Sequence, residues 1–113
     1  NNFKFLHLGD TGYTEDFKDI KKKLGKPDLV AIPIGAYKPR DIMRYSHLNP
    51  EEALKTFIDL EAKKAVAMHW GTFILSQEAV DEPVNEIKSN LKNQGIEESN
   101  FLILKHGETI NLN

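Results

Sequence analysis

The chain is 113 residues long and carries 15 Lys plus Arg against 17 Asp plus Glu, a net charge of -2, so it lacks the basic footprint that nucleic acid or an anionic bilayer surface demands. That length allows one domain with a modest core, and no apolar run approaches the ~18 residues of a membrane span. With no cysteine present, a disulfide framework and thiolate metal sites are excluded, and histidine and carboxylates are left as the strong metal ligands.

Phe3-Lys4-Phe5-Leu6-His7-Leu8 predicts the first strand, with His7 a packed or edge histidine rather than a ligand. Leu8-Gly9-Asp10-Thr11-Gly12-Tyr13 then places a carboxylate on a sharp turn. In an open α/β sheet, ligands collect beyond the carboxyl ends of the strands, so Asp10 is well placed for chemistry. Thr14 is a fair N-cap for a helix over 15–24, in which Phe17, Ile20 and Leu24 fall at helical spacing and Gly25 with Pro27 forms the stop.

Asp28-Leu29-Val30-Ala31-Ile32-Pro33-Ile34 is a nearly continuous apolar run, the pattern of a strand buried on both faces, and Pro33 should stand where the ladder stops. A long irregular segment follows over 35–48, carrying Tyr37, Arg40, Arg44, Tyr45 and His47. Loops of this length in compact domains carry function or mobility. Tyr37, Arg40 and Tyr45 are its candidate substrate-binding residues, since such side chains grip phosphate, and a solvated role for the arginines is equally open.

Asn49-Pro50-Glu51-Glu52 is the clearest helix start: Asn caps, Pro takes the first position, and Glu52 completes a capping box. Ala53, Leu54, Phe57, Ile58 and Leu60 give it a wide apolar stripe. Lys64-Ala65-Val66-Ala67-Met68 reads as a short strand delivering His69, then Trp70-Gly71-Thr72, to the same edge as Asp10. A carboxylate oxygen and an imidazole nitrogen at two strand ends are ligand types that zinc prefers. Asp81-Glu82-Pro83 opens a third helix that stops at Gly95. Residues 101–104 and 109–112 flank a Lys105-His106-Gly107-Glu108 turn, which predicts a terminal hairpin, and His106 is read as structural, with a place at the edge of the active site as the lesser alternative.

Strands alternating with helices imply an α/β layer, a single mixed sheet with helices mainly on one face. Leaving roughly 1,000 Å² of the other face wet would forgo about 25 kcal/mol of gross transfer energy, more than the ~5 to 15 kcal/mol net stability of ordinary domains. A second copy, a partner chain or a missing half is therefore expected to cover it. Asp10-Thr11-Gly12 is also the triplet of aspartic proteases, but those are nearly all β, and Tyr13 stands where they place a small residue.

Four longer strings carry a stronger likeness. Gly9-Asp10-Thr11-Gly12-Tyr13, Ala31-Ile32-Pro33-Ile34-Gly35-Ala36-Tyr37-Lys38-Pro39-Arg40, His47-Leu48-Asn49-Pro50-Glu51-Glu52-Ala53 and Met68-His69-Trp70-Gly71-Thr72-Phe73 closely resemble the C-terminal half of the N-acylphosphatidylethanolamine-hydrolysing phospholipase D family, within the metallo-β-lactamase superfamily. The resemblance runs in unbroken order over nearly the whole chain. It implies that this chain is the C-terminal half of an αββα sandwich, that Asp10 bridges two zinc ions, that His69 is the last histidine ligand, and that His47 lies by the catalytic centre to hold or protonate a phosphate. Two metals at about 3.5 to 4 Å acidify a shared water and clamp a phosphodiester oxygen.

The superfamily's His-x-His-x-Asp-His signature, which lies in the N-terminal half, is absent here. His7, His47, His69 and His106 are too scattered to replace it. Alone, the chain is not expected to hold the metal pair or to be active, and the half that carries the other ligands is also the half that would cover the open sheet. The expected function is that of a fragment of a zinc-dependent hydrolase whose intact form cleaves a phosphodiester, such as a lipid headgroup linkage, in a soluble, cytoplasmic protein with peripheral membrane contact left open. The alternative is a non-catalytic half-domain acting in assembly or ligand binding as a homodimer.

Overall fold

The computed structural model describes residues 2–112. In chain order it forms β1 (Phe5–His7), α1 (Asp16–Leu24), β2 (Leu29–Pro33), α2 (Arg40–Met43), α3 (Pro50–Leu60), β3 (Lys64–Met68), α4 (Glu82–Gln94) and β4 (Phe101–Leu102). The strands lie side by side in the order β1-β2-β3-β4. Every strand pairing among the described residues is parallel, with Leu6 beside Val30, Val30 beside Ala65 and Ala65 beside Phe101.

That order explains the layering. Parallel neighbours need crossover connections, and crossovers are right-handed. When each new strand is added on the same side of the last, every crossover helix falls on the same face. Here α3 packs between α1 and α4, and the shared core joins Phe17 of α1, Leu54 and Phe57 of α3, and Ile87 of α4 to Val30, Ile32, Ala65 and Phe101 of the sheet. Side chains alternate along a strand, so the opposite face carries Phe5, Leu29, Val66 and Leu102, in register as Phe5 with Leu29 and Val66 with Leu102. Phe5 is 56% exposed there. No described helix is long and apolar enough to cross a membrane.

The expected mixed sheet and terminal hairpin are corrected. The Lys105–Glu108 turn forms, with the Glu108 N–H donating to the Lys105 carbonyl at 2.9 Å, but residues 109–112 make no strand. β4 itself pairs with β3 over only two residues, too short an edge to template a returning partner. The 35–48 segment is also less irregular than its composition suggests, since it contains the single turn of α2.

Local signals set the helix ends. Asn49 Oδ1 accepts from the Glu52 N–H at 2.8 Å, and the Glu52 carboxylate accepts from the Asn49 N–H at 3.2 Å, so the capping box closes in both directions. Thr14 accepts from the Asp16 N–H at 3.2 Å at the start of α1. Asn49→Ala is expected to lower the unfolding free energy by about 1 kcal/mol with an unchanged urea m-value. A denaturation midpoint identical to the unsubstituted chain would show that the box contributes nothing.

Candidate functional site

A parallel sheet brings the carboxyl ends of all its strands to one edge, and at that edge loops rather than ladders decide where side chains go. The Gly9-Asp10 turn follows β1, the 35–48 loop follows β2, His69 follows β3, and the Lys105–Glu108 turn comes after β4. Asp10 is exposed on its turn. His7 is occupied locally, its Nδ1 accepting from the Gly9 N–H at 3.1 Å.

Two close backbone approaches assemble this edge. A Cβ built on Gly35 would lie 2.2 Å from the His69 carbonyl oxygen, so only glycine lets β2's exit pass that close to β3's. A Cβ on Gly12 would lie 2.8 Å from the Tyr45 carbonyl oxygen, which seats the Asp10-Thr11-Gly12 turn against the backbone of the His47 loop. His69 itself has φ 62°, a left-handed conformation that costs a non-glycine residue about 1 kcal/mol and that concentrates at functional positions.

The two histidines meet. The rings of His47 and His69 are stacked with centroids 5.6 Å apart and planes 22° from parallel. Their Nδ1 atoms are both buried without a hydrogen-bond partner. Buried polar atoms are nearly always satisfied, and orphaned imidazole nitrogens on two stacked rings fit a role as metal ligand or proton carrier. Among the described residues, no group of three or more His, Cys, Asp or Glu side chains could hold a metal ion. The donor set suits a metal in kind and falls short in number.

The loop that delivers His47 is braced from within. Arg40 Nη1 donates to the His47 carbonyl at 3.0 Å, and Arg40 Nη2 to Glu52 Oε1 at 2.6 Å. The same Glu52 oxygen caps α3, so the loop and the helix share one anchor. Tyr37 is only 3% exposed, its hydroxyl donating to the Glu82 carboxylate. Burial, then that carboxylate, pushes the Tyr37 hydroxyl far above the usual tyrosine range. Tyr45 is 73% exposed, with the Arg44 guanidinium 4.8 Å over its ring. The structure thus brings His47 to His69 and the Asp10 turn to Tyr45, and it engages the polar groups of Tyr37 and Arg40 inside the chain.

Glu78 has no place in the sequence reading. It is 8% exposed, and its carboxylate accepts the backbone N–H groups of Ala36 at 2.8 Å, Tyr37 at 3.1 Å and Lys38 at 2.9 Å. Burial alone would raise its pKa, but the neighbouring Ser76 hydroxyl and the Lys38 and Ala36 amides outweigh burial and hold it below the usual carboxylate value. One glutamate in a polar loop carries no sequence signal of this. Beside His69 a cavity of about 470 Å³ opens, lined by Trp70, Thr72, Glu78, Leu104 and His106 among others. His106, exposed on its turn, lines the rim of this cavity.

A family model described as a beta-lactamase superfamily domain matches residues 1–70. The chain is 37% identical over 110 residues to N-acyl-phosphatidylethanolamine-hydrolyzing phospholipase D 1 of Caenorhabditis elegans, matching 95% of this chain and 31% of that protein. It is 44% identical over 85 residues to the mitochondrial N-acyl-phosphatidylethanolamine-hydrolyzing phospholipase D of Saccharomyces cerevisiae, matching 74% of this chain and 18% of that protein. Among solved structures, Igni18, a metallo hydrolase of Ignicoccus hospitalis, superposes with a TM-score of 0.63 at 25% identity, over 93% of this chain and 40% of that one. The chain spans less than a third of the length of both curated relatives.

The carboxylate clamp sets a pH dependence. A carboxyl whose folded pKa lies below its unfolded value of about 4.5 adds stability that is complete above that value and is lost as pH falls through the folded pKa. Glu78→Gln is therefore expected to destabilise by about 2 kcal/mol at pH 7, and the gap to the unsubstituted chain should shrink steadily below pH 4.5 in thermal melts. A gap that stays constant down to pH 2.5 would refute the clamp.

Proposed function

The chain belongs to the beta-lactamase superfamily, and from that premise we propose that it is the C-terminal half of a zinc-dependent phosphodiesterase whose remaining metal ligands lie outside these 113 residues. The observation that carries this reading is the pair of buried, unpartnered Nδ1 atoms on the stacked His47 and His69. Two nitrogens left dry without a partner cost the fold roughly 1 to 3 kcal/mol each, which is intelligible if an ion or a phosphoryl group meets them in the working protein.

Asp10 and His69 are the residues that would hold metal. When bound, a two-metal centre supplies an acidified water and offsets charge on the phosphoryl oxygens. The chain's own side chains do the rest. His47, fixed through its carbonyl by Arg40, holds one phosphoryl oxygen and can pass a proton to the departing alkoxide. The Gly12 approach to Tyr45 fixes the turn that presents Asp10. Trp70 and Leu104 exclude water along the cavity that takes one ester limb.

The open sheet face supports the same reading. Phe3 and Phe5 are more than half exposed on or beside it, and the matched relatives are several times longer than this chain. Cover by the rest of such a protein would bury that face and bring further ligands to the same edge.

Zinc content measured by elemental analysis tests the proposal. The isolated chain is expected to retain well under one equivalent after dialysis and to be inactive, and a full-length protein containing it should retain two, falling on Asp10→Asn or His69→Ala. Two tightly bound ions on the isolated chain would overturn the half-site reading. His47→Ala in the full-length protein should keep its metal and lose about 100-fold in kcat toward a dialkyl phosphate diester, whose alkoxide must take up a proton as it leaves; an unchanged kcat would remove His47 from the chemistry.

A further inference from the structure

Two residues other than glycine hold left-handed backbone where the neighbouring strands β2 and β3 end, Ala36 at φ 65° and His69 at φ 62°. Residues that carry a side chain avoid that region unless their surroundings over-determine it. The two are coupled through Gly35, which precedes Ala36 and lies so near His69 that a Cβ on it would stand 2.2 Å from the His69 carbonyl oxygen. Just before this contact the two strands are still joined, the Ile34 N–H donating to the Met68 carbonyl at 3.0 Å. Neither strand extends past it, so other groups must hold both turns.

The segment that follows His69 supplies those groups. It leaves the edge through 70–76, where Phe73, Ile74 and Leu75 are exposed, and returns to the exit of β2 at 77–82. There the Gln77 N–H donates to the Lys38 carbonyl at 3.3 Å. The Tyr37 hydroxyl and Lys38 Nζ both donate to the Glu82 carboxylate, Lys38 at 3.0 Å. Between these ties the buried Glu78 carboxylate accepts the N–H groups of Ala36, Tyr37 and Lys38. Successive amides turned toward one point form an anion nest, and here the anion that fills it belongs to the chain. The Ala36 and Tyr37 amides lie in the two peptide planes that flank Ala36. Holding both on one carboxylate therefore fixes the dihedrals of Ala36, and with them the course of Gly35.

We infer that Glu78 is a positioning residue for the metal centre: by filling the amide nest at 36–38 it holds Gly35 against the His69 carbonyl and so keeps the His69 imidazole in place. The inference rests on the half-site reading above and adds to it a residue that acts through backbone alone. The same clamp reaches His47. The Tyr37 carbonyl accepts from Arg40 Nη1 at 3.3 Å, and that nitrogen also donates to the His47 carbonyl at 3.0 Å. Two backbone paths thus start at one carboxylate, through Gly35 to His69 and through Tyr37 and Arg40 to His47, and they end at the stacked rings. Groups that orient a ligand from behind are commonly worth about 10- to 100-fold in metal affinity.

The test uses the full-length protein containing this chain, with zinc affinity read by competition against a chelating indicator at a temperature where far-UV circular dichroism shows each variant folded. Glu78→Gln is expected to bind zinc about 10- to 100-fold more weakly and to lose kcat toward a dialkyl phosphate diester with KM little changed. Glu78→Ala empties the nest. Added formate, a carboxylate small enough to refill it, should restore much of that variant's zinc affinity and leave the unsubstituted protein unchanged. A folded Glu78→Gln with unchanged zinc affinity would overturn the assignment, because a purely structural role lowers the melting temperature alone. A loss in Glu78→Ala that formate does not reverse would overturn it too. If Glu78→Gln fails to fold, Glu78→Asp, which keeps the charge on a shorter stem, carries the same comparison with the same expected direction. An unsubstituted full-length protein that binds no zinc would instead overturn the half-site reading, and the positioning role with it.

Discussion

In this sheet each parallel strand is laid down beside the one before it, and right-handed crossovers then leave no helix for the second face. Much else in the molecule follows from that constraint. The helices α1, α3 and α4 share one core with Val30, Ile32 and Ala65, the face holding Phe5 and Val66 stays open, and the Asp10, His47, His69 and His106 segments all leave the sheet at the same edge.

The edge has no ladder to hold it, so its order comes from side chains acting on backbone. Glu78 gathers the amides of Ala36, Tyr37 and Lys38, and Arg40 ties the His47 carbonyl to the Glu52 cap of α3. Charge-assisted bonds of this kind are about twice as strong as neutral ones, enough to define a loop that composition alone would leave mobile. The result is a stacked His47–His69 pair whose position depends on groups that touch neither ring. A change at Arg40 would therefore reach His47 through its carbonyl, without altering the imidazoles themselves.

Local rules are obeyed through most of the chain and broken at this edge. The capping box of α3 closes as its sequence predicts, yet His69 sits at φ 62° and two imidazole nitrogens lie buried without partners. Rule-breaking of this sort gathers where a fold carries function, because the strain is tolerated only when something outside selects for it. The same edge holds the glycines that cannot be replaced without a backbone clash, Gly12 and Gly35. Left-handed backbone at His69, orphaned nitrogens and close backbone approach thus meet at the edge where β1, β2 and β3 end.

What was legible in the sequence was local. The capping box at Asn49 and Glu52, the apolar run that became β2, and the strand ends at Asp10 and His69 are all written within a few residues, because helix caps and strand periodicity act over one to four positions. The family strings added the expectation of a half-site. What only the tertiary structure decided acts at long range: Glu78 reaches the Ala36 amide across 42 residues, Thr72 meets His106 across 34, and Gly12 meets Tyr45 through backbone contact alone. No periodicity encodes such pairings, since each depends on where two separately folded segments come to rest. The sequence by itself thus determined the elements and the residue types at their ends, and packing decided which of those ends face one another.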